Sequence, residues 1–250
     1  MTFNWEAFTK DTVTSAEVRL LGTVDVPSVL ALQKLMVHEV RQQSRISAAV
    51  LICEHPPAIS VGTDGNLLEL PEDRRELESK LLAVHKVKRD GHAVLHQRGQ
   101  LAAYVIVSLH ECEYGEQEFR WRLQEAMIRT CRDSQVNIQR DANDPTALFG
   151  RHGAVCEIGI LVDNAVTCFG SFLNVACCLN EARQYGRGLL GQRVSSLSAE
   201  RVRPAIMPQV RTSLIHHICE QIGYPEYHVH TGHPFLKRTR KLIHDKFADH

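Results

Sequence analysis

The chain has 250 residues, 44% of them apolar and 23% charged, enough to bury a sizeable core as one large or two modest domains. Lysine plus arginine equals aspartate plus glutamate at 29 each, and only 6% of residues are aromatic. That balance excludes a bulk electrostatic case for nucleic acid or an anionic membrane, and it gives no base-stacking platform. No stretch approaches the roughly 20 apolar residues of a membrane span. The opening "MTFNWEAFTKDTVTSAEV" lacks the charged start and apolar block of a signal peptide. The expected location is therefore the cytoplasm. There the eight cysteines, none in a C-x-x-C pair, are expected as thiols.

In chain order, residues 17–24, "EVRLLGTV", predict a first strand. Asp25 then offers an N-cap, with Pro27 early in a helix whose apolar residues fall at 29, 30, 32, 35, 36 and 40. "AAVLICEH" has the length and continuous apolarity of a strand buried on both faces. Prolines and glycines make "HPPAISVGTDGNLLELP" a loop holding a short strand. A helix is predicted over 73–83. Then comes "GHAVLHQRGQLAAYVIVSL", a loop carrying His96, Gly99 and Gln100 that feeds a strand. "EQEFRWRLQEAMIRTCRDS" predicts an amphipathic helix. "GAVCEIGILVDNAVTCFGSFLNVAC" predicts two strands with a turn at Asp163-Asn164. "PQVRTSLIHHICEQIG" predicts a helix ended by Gly223. Strands and helices do not alternate strictly, which favours an α+β fold with a mixed or antiparallel sheet. No internal repeat or linker appears. One domain over 1–250 is expected, with a helical extension from about 205.

Ordered segments of this chain resemble the lipoyl-protein ligase B family, the octanoyl-[acyl-carrier-protein]:protein octanoyltransferases of the biotin/lipoate ligase superfamily. "LLGTVDVPSVLALQ" is similar to that family's opening strand and helix. "LICEHPPAISVG" is similar to its Leu-x-x-Glu-His-Pro-Pro-x-x-x-x-Gly segment, which gives Glu54, His55, Pro56, Pro57 and Gly62. The segment Arg89 to Leu101 resembles its Arg-Gly-Gly-x-x-Thr-Tyr-His-Gly-Pro-Gly-Gln-Leu loop at Arg89, Gly91, His96, Gly99, Gln100 and Leu101. "EIGILVDNAVTCFGSFLNV" and "RVSSL" resemble its Ile-Gly strand, its hairpin and its closing Val-Thr-Ser-Leu. The resemblance spans roughly residues 18–200.

The resemblance implies a flanked mixed sheet of the biotin/lipoate ligase type and transfer of an octanoyl group from acyl carrier protein to a lipoyl-domain lysine. It implies acyl carrier protein and lipoyl domains as partners, and no resident cofactor or metal. In that family a cysteine carries the acyl group and a lysine assists. A thiolate suits thioester exchange, and a nearby cation lowers its pKa. Alignment on Ile158-Gly159 places Ala154 where the lysine stands, and alignment on "VSSL" places Arg187 where the cysteine stands. Leu95, His92 and Gln97-Arg98 also depart from the loop pattern.

Cys156 is the substitute nucleophile considered, because two residues along a strand return to the same face as Ala154. Cys177 and Cys178 are expected to pack at a strand end. His96 is the candidate acid or base. His55, Arg89, Gly91, Gly99, Gln100, Ala154 and Arg187 are the expected substrate-binding residues, with Arg187 offering a planar fork for a carboxylate or phosphate. They should line a cleft between loops 55–66 and 89–100, with helices on one side of the sheet. "GRGLLG", Gly186 to Gly191, fits a dinucleotide pattern but follows no apolar strand. His216, His217, His228, His230 and His233 cluster without an acidic partner at ligand spacing, so solvated or packing roles are expected. The basic tail "LKRTRKLIHDKF" is expected as a solvent-facing helix or a dock for an acidic partner. Three functions follow: an acyltransferase with its nucleophile moved, a non-catalytic relative that binds acyl, carrier or lipoyl domain, and, last, an adenylating ligase.

Overall fold

The computed structural model describes residues 15–42, 46–66, 70, 74–185 and 191–232. An eight-stranded sheet forms the centre. Its strands are β1 (Ala16–Thr23), β2 (Ala48–Glu54), β6 (Gln100–Val107), β7 (Gln139–Asp141), β8 (Asp144–Phe149), β9 (Ala154–Asp163), β10 (Val166–Asn174) and β11 (Tyr227–Thr231). Their spatial order is β11-β1-β2-β6-β10-β9-β8-β7. β11, β1 and β2 run parallel to one another, and every other pairing is antiparallel. The sheet is therefore mixed, as the sequence predicts.

A second sheet contains β3 (Ala58–Val61), β4 (Ala83–Lys86) and β5 (Ala93–His96) in the order β4-β3-β5. The sequence pattern missed β4, β5, β7, β8 and β11, all of them six residues or shorter.

Helices cover both faces of the main sheet, not one side. Helix α1 (Val26–Gln42) presents Val29, Leu32, Met36 and Val40 to Ala49, Leu51, Ala102, Tyr104 and Ile106. The helices α2 (Arg74–Ser79), α3 (Leu109–Cys112), α4 (Glu116–Asp133), α5 (Leu179–Ala182), α6 (Leu197–Arg201) and α7 (Met207–Gln221) follow. Of these, α4 and α7 cover the opposite face, where Ala48, Val50, Ile52, Ala103, Val105 and Val107 meet Phe119, Leu123, Met127, Leu214 and Ile218. The strictly alternating partners of β2 and β6 explain why both faces are apolar: each strand is buried twice, so its sequence shows no polar face. The segment expected as an extension instead supplies α7 to this core and β11 to the sheet edge. The basic tail from 236 onward lies outside the described residues, as does His233.

One local signal holds, and a second holds with a shift of one residue, from the expected turn at Asp163-Asn164 to Asn164-Ala165. Asp25 caps α1: the Ser28 backbone N–H and hydroxyl donate to its two carboxylate oxygens, both at 2.8 Å, and these bonds lower the Asp25 pKa. The β9–β10 turn places Asn164 and Ala165 at φ +48° and +60°, the left-handed pair that a tight hairpin requires.

Candidate functional site

The two motif segments meet in the small sheet. β3 and β5 pair antiparallel, with Ser60 opposite Val94 and Ala58 opposite His96. This corrects the expected cleft between loops 55–66 and 89–100: two four-residue runs of strand formers close that gap by backbone hydrogen bonds. Alternation then sorts the side chains. Ile59, Val61, Ala93 and Leu95 pack with Leu77, Leu82, Ala182 and Tyr185. Ser60, Val94 and His96 face the main sheet, and Ser60 and His96 are diagonal neighbours across the strand pair.

There they join a continuous polar chain. The Arg89 side chain is 2% exposed. Its guanidinium donates to the Ser60 carbonyl (3.0 Å), the Ser60 hydroxyl (3.1 Å), the His92 carbonyl (2.9 Å) and the Asp90 carbonyl (2.8 Å). It also lies 5.6 Å from the Phe172 ring centroid. Gly159 makes this possible, because a Cβ there would stand 2.5 Å from Arg89 Cδ. Ser60 Oγ meets His96 Nε2 at 2.7 Å, and His96 Nδ1 meets Gln100 Oε1 at 3.0 Å. The Gln100 amide donates to the Leu95 carbonyl and to Asn174 Oδ1, both at 3.0 Å. Asn174 donates onward to the Ser195 carbonyl at 3.2 Å.

These partners fix the proton positions. The Leu95 carbonyl accepts only, so the Gln100 NH2 must face it and its Oε1 must face His96. His96 therefore carries its proton on Nδ1. Its bare Nε2 accepts from the Ser60 hydroxyl, which in turn accepts from Arg89. Burial, with His55 and Arg89 nearby, holds the His96 pKa well below the ordinary histidine value. His55 is arranged likewise. Its Nδ1 donates to the Val24 carbonyl at 2.6 Å and its Nε2 accepts from the Tyr104 hydroxyl at 2.9 Å. Burial lowers its pKa too. Both rings are 1% exposed, and their centroids lie 4.9 Å apart in an edge-to-face contact. Neutral, doubly bonded and shut from solvent, the pair orients the motif loops.

The remaining motif residues hold backbone. The Gly91 N–H donates to Asp64 at 2.7 Å. Asp90 binds Arg120 and receives the Ile160 N–H at 2.7 Å. Gly99 sits at φ +83° against the Ala176 carbonyl, which a Cβ would meet at 2.5 Å. Its N–H donates to Glu54 and its carbonyl accepts from Val175 and Ala176. Gln97 pairs with both backbone groups of Cys178 at 3.1 Å. Loop 97–99 is thereby clamped onto loop 175–178.

A small cavity of about 20 Å³ lies beside this chain, lined by Ala93, Val94, Leu95, Gln100, Glu157, Asn174, Ala182, Tyr185 and Val194. That is room for about one water, far from the roughly 300–1,000 Å³ of a small-molecule pocket. Ala154 is fully buried and forms a parallel bridge with Val194, one of the lining residues. Arg187 lies outside the described residues.

Cys156 does not share the face of Ala154. β9 bulges there: Phe149 pairs with Ala154 and Leu148 with Cys156, so two steps along β9 oppose one along β8. The extra residue breaks the period of two. Val155 and Cys156 both enter the core beneath α4 and α7, while Glu157 faces the cavity. Of the eight thiols, Cys178 is exposed, Cys112 and Cys177 are half-buried, and the rest are buried. Burial pushes Cys177 up to about 12 and Cys168 up to about 11.

Sequence reasoning missed Ser60, Tyr104, Glu157, Asn174 and Ser195. A buried arginine and two buried histidines demand partners, and that demand is the signal that points to Ser60 and Tyr104.

A family model described as the lipoyl protein ligase A/B catalytic domain matches residues 25–219. An octanoyltransferase of Acidobacterium capsulatum is 30% identical over 218 residues, covering 81% of this chain and 87% of that protein. One of Roseiflexus sp. (strain RS-1) is 31% identical over 205 residues, covering 80% and 84%. Among solved structures, lipoate-protein ligase A bound with ATP superposes with a TM-score of 0.69 at 14% identity, covering 92% of this chain and 95% of that one. A bi-partite lipoate protein ligase of Thermoplasma acidophilum, described with its E2 lipoyl domain, gives 0.68 at 13% identity, covering 93% and 92%. Among the described residues no helix is long and apolar enough to cross a membrane.

Proposed function

The chain belongs to the lipoyl protein ligase A/B catalytic-domain family, and from that premise we propose that it serves octanoyl transfer in lipoate biosynthesis. The donor is an octanoyl thioester on acyl carrier protein and the acceptor is a lysine of a lipoyl domain. Net, the carrier thioester breaks, an amide to the acceptor lysine forms, and the carrier thiol takes up the proton; in a relay a protein thiol first takes the acyl group by thioester exchange, releasing the carrier thiol, and the amine then displaces the protein thiol. The observation that carries this reading is the unbroken chain Arg89–Ser60–His96–Gln100–Asn174. It is assembled from both motif segments and placed against the cavity beside Ala154. Relatives named octanoyltransferase span more than four fifths of their own length in the match, and a neighbour in fold is described with its E2 lipoyl domain.

In this reading Arg89, His55, His96, Gly91, Gly99 and Gln100 shape and orient the site and make no covalent bond. Ala154 and Arg187 stand at the positions where the family has lysine and cysteine. The burial of Cys156 on the helix side leaves Cys178, exposed on the clamped loop, as the thiol placed to receive an acyl group. The absence of a thiol at 187 favours a second reading, a relative that binds carrier or lipoyl domain without transferring.

The test is intact mass of the pure protein and of a lipoyl domain after incubation with octanoyl-[acyl-carrier-protein]. Octanoyl on the lipoyl domain supports transfer. A hydroxylamine-labile adduct on the protein, absent in Cys178→Ser, assigns the relay. Intact donor with neither product sinks transfer and leaves the binding reading.

A further inference from the structure

The α4–α7 pair carries a second cluster of chemistry remote from the polar chain described above. Glu220 lies three residues beyond His217 and four beyond His216 on α7, so it neighbours both. One ligand atom from each lies within 4.8 Å of the other two. The sequence pattern weighed these histidines without Glu220, one turn further along the same helix.

Asp133, in the last turn of α4, fixes the state of His217. Its Oδ2 lies 2.8 Å from His217 Nε2 and also receives the Ser213 hydroxyl. A carboxylate accepts, so Nε2 turns a proton to Asp133, and Nδ1 is the ring nitrogen left to face Glu220. That Nδ1 is buried without a hydrogen-bond donor and faces Glu220 Oε2 at 3.6 Å. A ring nitrogen facing a carboxylate oxygen at this distance is bridged by a proton or by a cation. Arg129 supplies part of it to the same Glu220 oxygen at 3.1 Å, from outside the His217 contact.

We propose that His216, His217 and Glu220 bind a divalent cation of the zinc type, which fastens α7 to α4 through Asp133. Two imidazoles and one carboxylate form a donor set suited to zinc, with a fourth position left for water. Bonds of 2.0–2.1 Å at tetrahedral angles put neighbouring ligand atoms about 3.3 Å apart. The His217–Glu220 pair is already near that value, and His216, exposed four residues before Glu220, closes by side-chain rotation. Asp133 plays the outer partner: it holds the His217 tautomer and raises the basicity of the coordinating nitrogen. The competing state is a second proton on His217, bridging Asp133 and Glu220 as an imidazolium.

The experiment titrates the full chain with Zn²⁺ against a chromogenic chelator, with a parallel Co²⁺ titration followed by absorbance. Expected are one equivalent bound, weakening of at least tenfold in His216→Ala and in Glu220→Gln, and roughly tenfold in Asp133→Asn. The zinc-bound protein should also melt at a higher temperature, a gain absent in His216→Ala. His216 is exposed, so that variant keeps the fold. Three results overturn the proposal: no saturable zinc binding, binding unchanged in His216→Ala, or a cobalt spectrum with thiolate charge-transfer bands.

Discussion

His96 is buried neutral, and that state has a cost on acidification. The unfolded chain takes up the proton near the ordinary histidine value of 6.5, whereas the folded chain resists it. The stability this residue contributes is therefore complete above about pH 6.5 and is lost as pH falls below it. One proton is worth about 1.4 kcal/mol per pH unit in that range. From pH 8 to pH 5, proton uptake by the unfolded chain sets the most that His96 alone can remove, about 2 kcal/mol. His55 adds to this in the same direction, since its pKa is lowered as well. The assay is urea unfolding at half-unit steps across this range, for the wild type and for His96→Gln. The other thirteen histidines are common to both chains, so the difference between the two proteins isolates His96. The wild type should lose more than the variant between pH 8 and pH 5, by up to about 2 kcal/mol. Ser60→Ala removes a hydrogen-bond partner but keeps the imidazole, so it should be less stable at every pH and retain the slope. A wild-type-minus-variant difference that stays flat from pH 8 to pH 5 would refute the neutral, Nδ1-protonated assignment.

Gly159→Ala places a methyl 2.5 Å from Arg89 Cδ; it should destabilise by about 1–3 kcal/mol in thermal or chemical melts, and a neutral result would mean Arg89 is mobile. Gln100→Leu strands the His96 Nδ1–H, the Leu95 carbonyl and Asn174, at about 2–4 kcal/mol in the same measurement. A short pulse of iodoacetamide at neutral pH, read by peptide mass spectrometry, should label Cys178 first and leave Cys53, Cys131, Cys156 and Cys219 unlabelled. Adding both missing family groups, Ala154→Lys with Arg187→Cys, should raise octanoyl transfer at least tenfold over wild type. An unchanged rate would show that the scaffold has lost its acyl site as well as its dyad.

The long elements were legible because their periodicity is long. The seventeen residues of α1 and eighteen of α4 repeat an apolar stripe over four turns or more, and β2 and β6 are almost wholly apolar runs. The motif segments were legible because buried polar residues stand out against such runs. What failed was local arithmetic. The same-face argument for Ala154 and Cys156 assumes an unbroken ladder, and a bulge adds a residue without leaving any mark in composition. The pairing of β3 with β5 turned an expected opening into a seam, since four-residue strands carry too few residues to show their partner. Asn174 and Ser195 were passed over because each is polar in an ordinary position. Only the three-dimensional hydrogen-bond accounting around Gln100 gives them a role.

The position of β1 has a consequence for how the protein is made. Residues 16–20 of β1 pair on one side with residues 48–52 and on the other with residues 227–231. During synthesis the first neighbour, residues 48–52, arrives early, and the second, residues 227–231, only after most of the remaining chain has left the ribosome. Until then the outer rim of the sheet offers unsatisfied backbone groups to any passing chain. The α7 surface that roofs the same core is also still to come. Nascent chains stalled before residue 207 should therefore recruit holdase chaperones and aggregate on release, and chains carried past residue 232 should not. β11 therefore covers the outer edge of β1 only once residues 227–231 have been made.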